Sequence, residues 1–240
     1  MSGSVSGSVS GSVSGSVSVS TDSGIDVSRI EAPELGDRVL LAIDTALGTS
    51  VAVGAQGQAW EVASADARGH AEAIGLLLAR VFEESGVSPA EVSGVVAGIG
   101  PGPFTGLRVG IAAAHAFAAG RGVPMLPLQG HEAVALEALE RGDARVRVVQ
   151  DAKRRELFVT EYSGLDEAGL PVRSADPHLV SRTDYVAAPH DVWPEQIPAA
   201  GLLRLAARRL AAGRDFEPDR ALYLRAPDVK PAAAPKRVSR

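Results

Sequence analysis

The sequence predicts a mixed α/β domain, and two observations carry that prediction. Three strand-like segments follow one another between residues 39 and 63 with glycines at the turns, which is typical of an antiparallel meander. Beyond residue 74, segments of helical periodicity alternate with short apolar segments, which is typical of parallel strands joined by crossover helices.

The predicted meander comprises Val39–Ile43, Ser50–Gly54 and Ala59–Ala63. Gly48 and Gly57 lie at the two turns, where hairpins favour residues that adopt positive φ. An amphipathic helix follows and ends before a glycine, which suits a C-terminal cap. Its core-facing residues are Ile74, Leu77, Leu78, Val81 and Phe82.

The remaining elements follow from short patterns. "VSGVVAGIG" is a buried strand, a helix extends to Ala119, "VPMLPL" is a short strand and Glu132–Glu140 is helical. The second half begins again with a hairpin, "RVRVVQDAKRRELFVTEY", which turns at Lys153–Arg154, and then has one clear helix, "LLRLAARRLAAG". The second half therefore reads as a shortened copy of the first.

The two ends of the chain have a different composition. Residues 2–17 repeat the tetrapeptide SGSV four times, and such Ser/Gly-rich sequence buries too little apolar surface to fold. We predict a disordered leader and linker over residues 1–37, with the folded pattern beginning at Val39, and expect residues 1–36 to be dispensable. Residues 231–240 are predicted to be a basic flexible tail that is exposed to solvent. The alternative is that this tail contacts RNA.

Composition excludes several classes of protein. The chain has no cysteine, which excludes disulfides, thiol nucleophiles and Cys-ligated zinc and is consistent with a cytoplasmic protein. Its net charge of −5 gives no general attraction to nucleic acid. The longest apolar run, within residues 109–119, is too short to cross a membrane.

The loop "GIGPGPFTGLRVG" resembles a phosphate-binding turn only in its glycine spacing. A dinucleotide loop needs an acidic residue about 20 positions later, and no acidic residue lies between this loop and Glu132. Pro101 and Pro103 also remove two backbone N–H donors. We predict a structural turn with Thr105 as the helix N-cap, while the first-turn amides and Arg108 remain candidate anion contacts.

The helix after this loop carries small residues every four positions: Gly106, Gly110, Ala114 and Ala118. Such a stripe allows close helix approach. Two alternatives stay open, a fully buried core helix and a helix partly covered by a partner protein. The working hypothesis is that the stripe faces the partner.

Four segments of the sequence resemble a known family. "LLAIDTALGTSVAV" followed by "GIGPGPFTGLRVGIAAAHAFA" is similar to the TsaB (YeaZ) family, and so are "DAKRRELFVTEY" and the late "ALYLRAPDV". The resemblance spans residues 38–230. It implies an actin/Hsp70/sugar-kinase-like fold of two ribonuclease-H-like lobes, over residues 38–140 and a reduced 141–230.

The resemblance also implies a function. TsaB-type subunits pair with the catalytic paralogue TsaD through helices of the first lobe, and the ATPase TsaE joins them to transfer a threonylcarbamoyl group to adenosine in tRNAs that read ANN codons. The chain is expected to have no cofactor of its own, with ATP and a metal ion in the partner subunits, and to form a homodimer when isolated. Candidate partner contacts are Ala73, Leu76, Leu77, Arg80, Gly106, Leu107, Gly110, Ile111 and Ala114. Candidate nucleotide or anion contacts are Asp44, Thr105, Gly106 and Arg108.

The residues argue against catalysis by this chain. The catalytic paralogue holds a metal with two histidines one helical turn apart, and no two histidines of this chain have that spacing. We therefore predict no metal site. Each histidine is expected to be a surface or capping residue. Asp44 is either a remnant of a metal–phosphate site or a residue that bonds to its turn amides. Two other functions are possible for the chain. One is a stand-alone peptidase, but the sequence contains no nucleophile motif for that activity. The other is a sugar-kinase-type phosphotransferase, which would need an intact second lobe.

Overall fold

A computed structural model of the chain describes residues 17–20, 25–64 and 70–225. Two β-sheets and four α-helices make up this part of the chain, together with two short 3-10 helices at Pro33–Leu35 and Pro89–Glu91. The helices are α1 (His70–Ser85), α2 (Phe104–Arg121), α3 (Gly130–Glu140) and α4 (Ala199–Ala212).

The first sheet has seven strands in the order β1-β2-β5-β4-β3-β6-β7. The antiparallel β3-β4-β5 meander and the parallel β3-β6-β7 arrangement agree with the sequence prediction. Its strands are β1 (Val17–Ser20), β2 (Ile25–Glu31), β3 (Leu40–Asp44), β4 (Thr49–Ala55), β5 (Gln58–Ser64), β6 (Gly94–Gly98) and β7 (Met125–Leu128).

The second sheet has four strands in the order β10-β9-β8-β11. The predicted hairpin is β8 paired with β9, and a long strand, β10, which the sequence did not suggest, completes its antiparallel part. These strands are β8 (Val146–Asp151), β9 (Glu156–Leu165), β10 (Pro171–Ser181) and β11 (Asp191–Val192).

Both faces of the first sheet are covered, because alternate residues of a strand point to opposite faces. Leu41 and Ile43 of β3 pack toward α1 and α2, whereas Leu40 and Ala42 join the core that contains α3 and α4. That second core also includes Tyr162 of β9, so one hydrophobic core links the two sheets.

The prediction of a disordered leader and linker up to residue 37 is wrong over residues 17–20, which form β1 beside β2, and over residues 25–35. Strand β2 pairs with β5 through seven successive residues, from Ile25–Ser64 to Glu31–Gln58. Ala32 and Leu35 are fully buried, and the Glu34 carboxylate accepts from Arg204 Nε at 2.6 Å. Burial of Leu35 and this ion pair with α4 give the segment the contacts that its polar sequence did not reveal.

Some sequence predictions lie outside the described residues. These are residues 2–16 of the SGSV repeat and the tail over residues 231–240. In the described part of the chain, none of the helices has the length and apolar character needed to cross a membrane.

Candidate functional site: the β3–β4 turn, helix α2 and their surroundings

The turn between β3 and β4 receives the N-terminal half of α2. Thr45 is buried there, and its hydroxyl donates to the Gly106 carbonyl at 2.7 Å and accepts from the Gly110 N–H at 3.0 Å. A Cβ added at Gly110 would lie 2.3 Å from Thr45 Oγ1, which is far inside van der Waals contact. The small-residue stripe therefore lets α2 approach its own sheet closely.

This packing corrects part of the predicted docking surface. Gly106, Leu107, Gly110 and Ala114 are buried within the chain, and so is Leu77 of α1. These five residues face the chain's own core, so the hypothesis that the stripe faces a partner is wrong.

The outward faces of α1 and α2 form a different surface. The two helices lie side by side, with Phe82 and Phe117 stacked at 5.9 Å between ring centroids. Leu76 is 67% exposed, the largest exposure of a leucine among the described residues. Of the remaining candidates, Ala73, Arg80 and Ile111 are partly buried. The small residues that these helices also expose include Gly75 and Ala79 of α1 and Ala112 and Ala116 of α2.

Asp44 lies at the end of β3 and is almost fully buried. Its Oδ1 accepts from the Ala46 N–H at 2.7 Å, so the interpretation that Asp44 bonds to its own turn is confirmed. Its Oδ2 is buried without a hydrogen-bond partner in the described structure. Burial raises the pKa of Asp44 to about 7, although the Ala46 hydrogen bond acts in the opposite direction.

Two glycines make room for this carboxyl group. A Cβ at Gly98 would lie 1.8 Å from Asp44 Oδ2, and one at Gly130 would lie 3.3 Å from it. Strand β6 can therefore pass over Asp44 only because Gly98 carries no side chain, and the start of α3 packs tightly on the same carboxyl group at Gly130.

The candidate anion contacts differ in exposure and in the partners that their side chains already have. Helix α2 begins at Phe104, directly after Pro103, so Thr105 is an exposed first-turn residue and not the N-cap. Asp44 is buried behind the turn, whereas the Arg108 guanidinium lies 3.8 Å from the Phe104 ring centroid and donates to Tyr223 Oη at 3.2 Å.

Tyr223 belongs to an irregular segment, residues 214–225, that we call the C-terminal strap. The strap crosses the ends of two strands of the first sheet: Glu217 N donates to the Pro127 carbonyl and Leu222 N to the Ile99 carbonyl. It also covers part of α2, since Tyr223 packs on Phe104 at 4.9 Å between ring centroids. A cavity of about 330 Å³ lies beneath it, lined by Ile99, Gln129, Glu217, Pro218, Arg220, Ala221, Leu222 and Tyr223.

His131 corrects another prediction, because it is fully buried and neither a surface nor a capping residue. Gln150 Nε2 donates to the Ala46 carbonyl at 3.1 Å, so Gln150 Oε1 is left to accept from His131 Nε2 at 3.0 Å. His131 Nδ1 then accepts from Thr160 Oγ1 at 2.7 Å. Burial lowers the pKa of His131 to about 4, so the imidazole is neutral near pH 7 and connects α3 to β8 and β9 as an uncharged link.

Glu61 of β5 connects the first sheet to the start of α4. Its Oε2 accepts from Ala200 N at 2.7 Å, in the first turn of α4, and its Oε1 accepts from Gln196 Nε2 at 3.3 Å. A carboxylate is favourable at a helix N-terminus. Burial is nevertheless the larger influence and raises the pKa of Glu61 to about 7.

Comparison with known proteins places this architecture in a family. Residues 61–180 match the family model described as "TsaD: tRNA N6-adenosine threonylcarbamoyltransferase". The chain is 32% identical over 179 residues to an uncharacterised protein of Mycobacterium tuberculosis. The aligned region covers 72% of this chain and 83% of that protein. It is 33% identical over 133 residues to the tRNA threonylcarbamoyladenosine biosynthesis protein TsaB of Escherichia coli, covering 55% of this chain and 57% of that protein.

A solved structure of YeaZ from Pseudomonas aeruginosa is also similar, with a TM-score of 0.67 and 26% identity over 78% of this chain and 100% of that one. The chain belongs to the TsaB (YeaZ) family. The predicted fold class is thereby confirmed, since the two-sheet TsaB-type architecture has the actin-like, ribonuclease-H-like fold. The match to the E. coli TsaB spans little more than half the length of that relative.

Proposed function

We propose that this TsaB-family chain is a scaffold subunit for tRNA threonylcarbamoyladenosine synthesis and has no catalytic site of its own. It pairs with a TsaD-type catalytic subunit, and a TsaE-type ATPase joins the pair for threonylcarbamoyl transfer to adenosine in tRNAs that read ANN codons. ATP and the metal ion belong to the partner subunits, and the chain works in the cytoplasm.

The observation that carries the proposal is the exposed apolar face of α1 and α2. Leu76 is exposed on α1, both helices expose glycine or alanine residues, and small residues let a partner helix approach closely. The proposed occupant is the TsaD-type subunit, because the TsaD family model itself matches residues 61–180 of this chain. A paralogue with an equivalent helix pair could pack face to face on this surface, and a second copy of the chain could do the same in its absence.

The proposal that the chain has no catalytic site of its own rests on the placement of its His, Asp and Glu side chains. Within residues 25–64 and 70–225, no group of three or more His, Asp or Glu side chains could hold a metal ion. Asp44, the candidate remnant of a nucleotide site, is buried and bonded to its own turn. If purified chain alone hydrolysed ATP, and Asp44→Asn abolished that activity, the proposal would be wrong.

Pairing is tested by calorimetric titration of the chain with the TsaD-type subunit of the same organism. Leu76→Asp should weaken binding at least tenfold, about 1.4 kcal/mol, without lowering the melting temperature, since its side chain is largely exposed. Val186→Asp is the matched control, because Val186 is 77% exposed in the second half of the chain. Equal affinities for Leu76→Asp and wild type would remove the α1–α2 face from the proposal, and no binding by wild type would overturn the pairing itself.

A further inference from the structure

The C-terminal strap spans its cavity of about 330 Å³ between two fixed points. Phe216 packs against the hydrophobic core that links the two sheets, and Tyr223 packs on Phe104 of α2. Most of the strap residues between these points line the cavity, together with Ile99 and Gln129. The volume lies near the lower end of the range for small-molecule sites, about 300–1,000 Å³, so a ligand held there would be small.

Glu217 of the strap places its carboxylate between two side chains of the body. Its Oε1 accepts from a terminal nitrogen of Arg173 at 2.8 Å and from Gln129 Nε2 at 3.2 Å. Both bonds end on the same oxygen, so Arg173 meets the strap through one nitrogen instead of the two-nitrogen fork that arginine forms with a carboxylate. Arg173 Nε is buried without a hydrogen-bond partner among the described residues. The strap therefore leaves one donor of this guanidinium unused.

The cluster around Arg173 has an excess of positive charge when Glu217 is left out. Arg173 and Arg209 both face Glu132 Oε1, at 3.8 Å and 2.7 Å. Asp176 also lies 3.5 Å from Arg173, but its side chain is 90% exposed, and such a pair contributes little. Two largely buried guanidinium groups thus share one buried carboxylate. Because an uncompensated buried charge is costly, the cluster needs a second anion, and Glu217 supplies it.

We propose that the strap cavity binds a small aliphatic carboxylic acid, whose carboxylate takes the place of Glu217 on Arg173 and Gln129. Glu217 itself lines the cavity, so rotation of its side chain toward solvent gives a ligand access to Arg173 while Phe216 and Tyr223 stay in place. A free carboxylate is not tethered to the strap and can adopt the two-nitrogen pairing that Glu217 does not make.

The other cavity walls determine the rest of the ligand. Ile99, Pro218, Ala221 and Leu222 offer apolar surface, which suits a short aliphatic chain. Arg220 is exposed at the cavity and adds positive charge that attracts an anion. Neither the site nor its ligand depends on the proposed pairing with a TsaD-type subunit.

The first test is chemical rescue of a chain that lacks the strap carboxylate. Glu217→Ala should melt below wild type, because it leaves Arg173 without its close anion. Sodium butyrate should restore the melting temperature of this variant. Butyramide, which has the same chain without the charge, and sodium chloride at equal ionic strength should not. The matched control is Asp219→Ala, which removes a strap carboxylate from an exposed pair with His115 and should not respond to butyrate.

The second test is calorimetric titration with butyrate. Glu217→Ala should bind butyrate at least tenfold more tightly than wild type, because the tethered carboxylate of wild type competes for Arg173. Glu217→Gln keeps the size of the side chain and removes its charge, so it should also bind more tightly than wild type and repeats the comparison with the least change in packing.

A double variant locates the bound acid. Glu217→Ala/Arg173→Met should bind butyrate at least tenfold more weakly than Glu217→Ala. It removes both members of the pair, and Glu132 keeps Arg209, so no charge of the cluster is left buried alone and the protein should fold. Unchanged affinity in the double variant would place the acid elsewhere and overturn the proposal.

Three other results would also overturn it. One is an equal response of Glu217→Ala and Asp219→Ala to butyrate. Another is equal binding of butyramide and butyrate, which would indicate an apolar pocket without a carboxylate site. The third comes from affinity for the TsaD-type subunit, measured on the same preparations. If Glu217→Ala loses that affinity and does not respond to butyrate, Glu217 is a protein contact and the cavity is not a carboxylate site.

Discussion

Thr45 Oγ1 lies 3.0 Å from the Gly110 nitrogen and 2.7 Å from the Gly106 oxygen, so a single buried hydroxyl bridges successive turns of α2. The contact spans 65 residues of sequence and fixes α2 on the β3–β4 turn. It also determines which face of α2 remains outside, and therefore which residues a partner could meet.

Gly110→Leu should destabilise the isolated chain. The new side chain would collide with Thr45, and overpacking of this kind costs roughly 1–3 kcal/mol. Chemical denaturation measures the loss, with Ala116→Leu on the exposed face of the same helix as the control, expected within about 0.5 kcal/mol of wild type. A Gly110→Leu protein as stable as wild type would contradict the internal assignment of the stripe.

Asp44 should make the chain less stable as pH rises. Its folded pKa, about 7, lies above its ordinary value, so the folded state holds the proton more tightly and this stabilisation is lost between about pH 4 and pH 7. Asp44→Asn cannot ionise and should lack this component. The stability of wild type relative to the variant should therefore fall from pH 4 to pH 8 by up to about 4 kcal/mol, at 1.36 kcal/mol per pKa unit. Parallel pH profiles from urea unfolding would contradict this.

His131 should act in the opposite direction. Its folded pKa, about 4, lies below the ordinary histidine value, so the neutral form stabilises the fold above about pH 6.5 and this contribution is lost as pH falls toward 4. His131→Gln should cost about 1–3 kcal/mol at pH 7, because it disturbs the bonds to Gln150 and Thr160. The deficit of the variant should shrink on acidification, and a deficit that stays constant down to pH 4.5 would argue against a neutral buried imidazole.

Two truncations separate the repeat from the strand that follows it. A chain that begins at residue 17 should keep its melting temperature, because it removes only the SGSV repeat. A chain that begins at residue 37 should melt several degrees lower, since it loses the pairing of β2 with β5 and the buried Leu35. Equal melting temperatures for the two truncations would show that β2 and Leu35 add no stability.

The element order could be predicted from the sequence because it rests on local patterns. The β3–β5 meander, α1, α2 and the β8–β9 hairpin show the periods of two and 3.6 residues that strands and helices impose on neighbouring side chains. Strand β2 escaped prediction because "IDVSRIE" is polar and its partner, β5, lies about 30 residues away. Strand β10 has many polar residues and pairs irregularly with β9, so its sequence pattern is weak as well.

The sequence by itself determined the α/β class, the family motifs and the presence of a small-residue stripe on α2, since each depends on residues close together in the chain. Only the tertiary structure decided what that stripe meets, because Thr45 reaches Gly110 through the packing of α2 on the sheet. The same holds for His131, which is buried because Gln150 and Thr160 arrive from the second sheet. A polar residue can be buried only where distant segments supply its hydrogen bonds, and local sequence does not specify which segments those are.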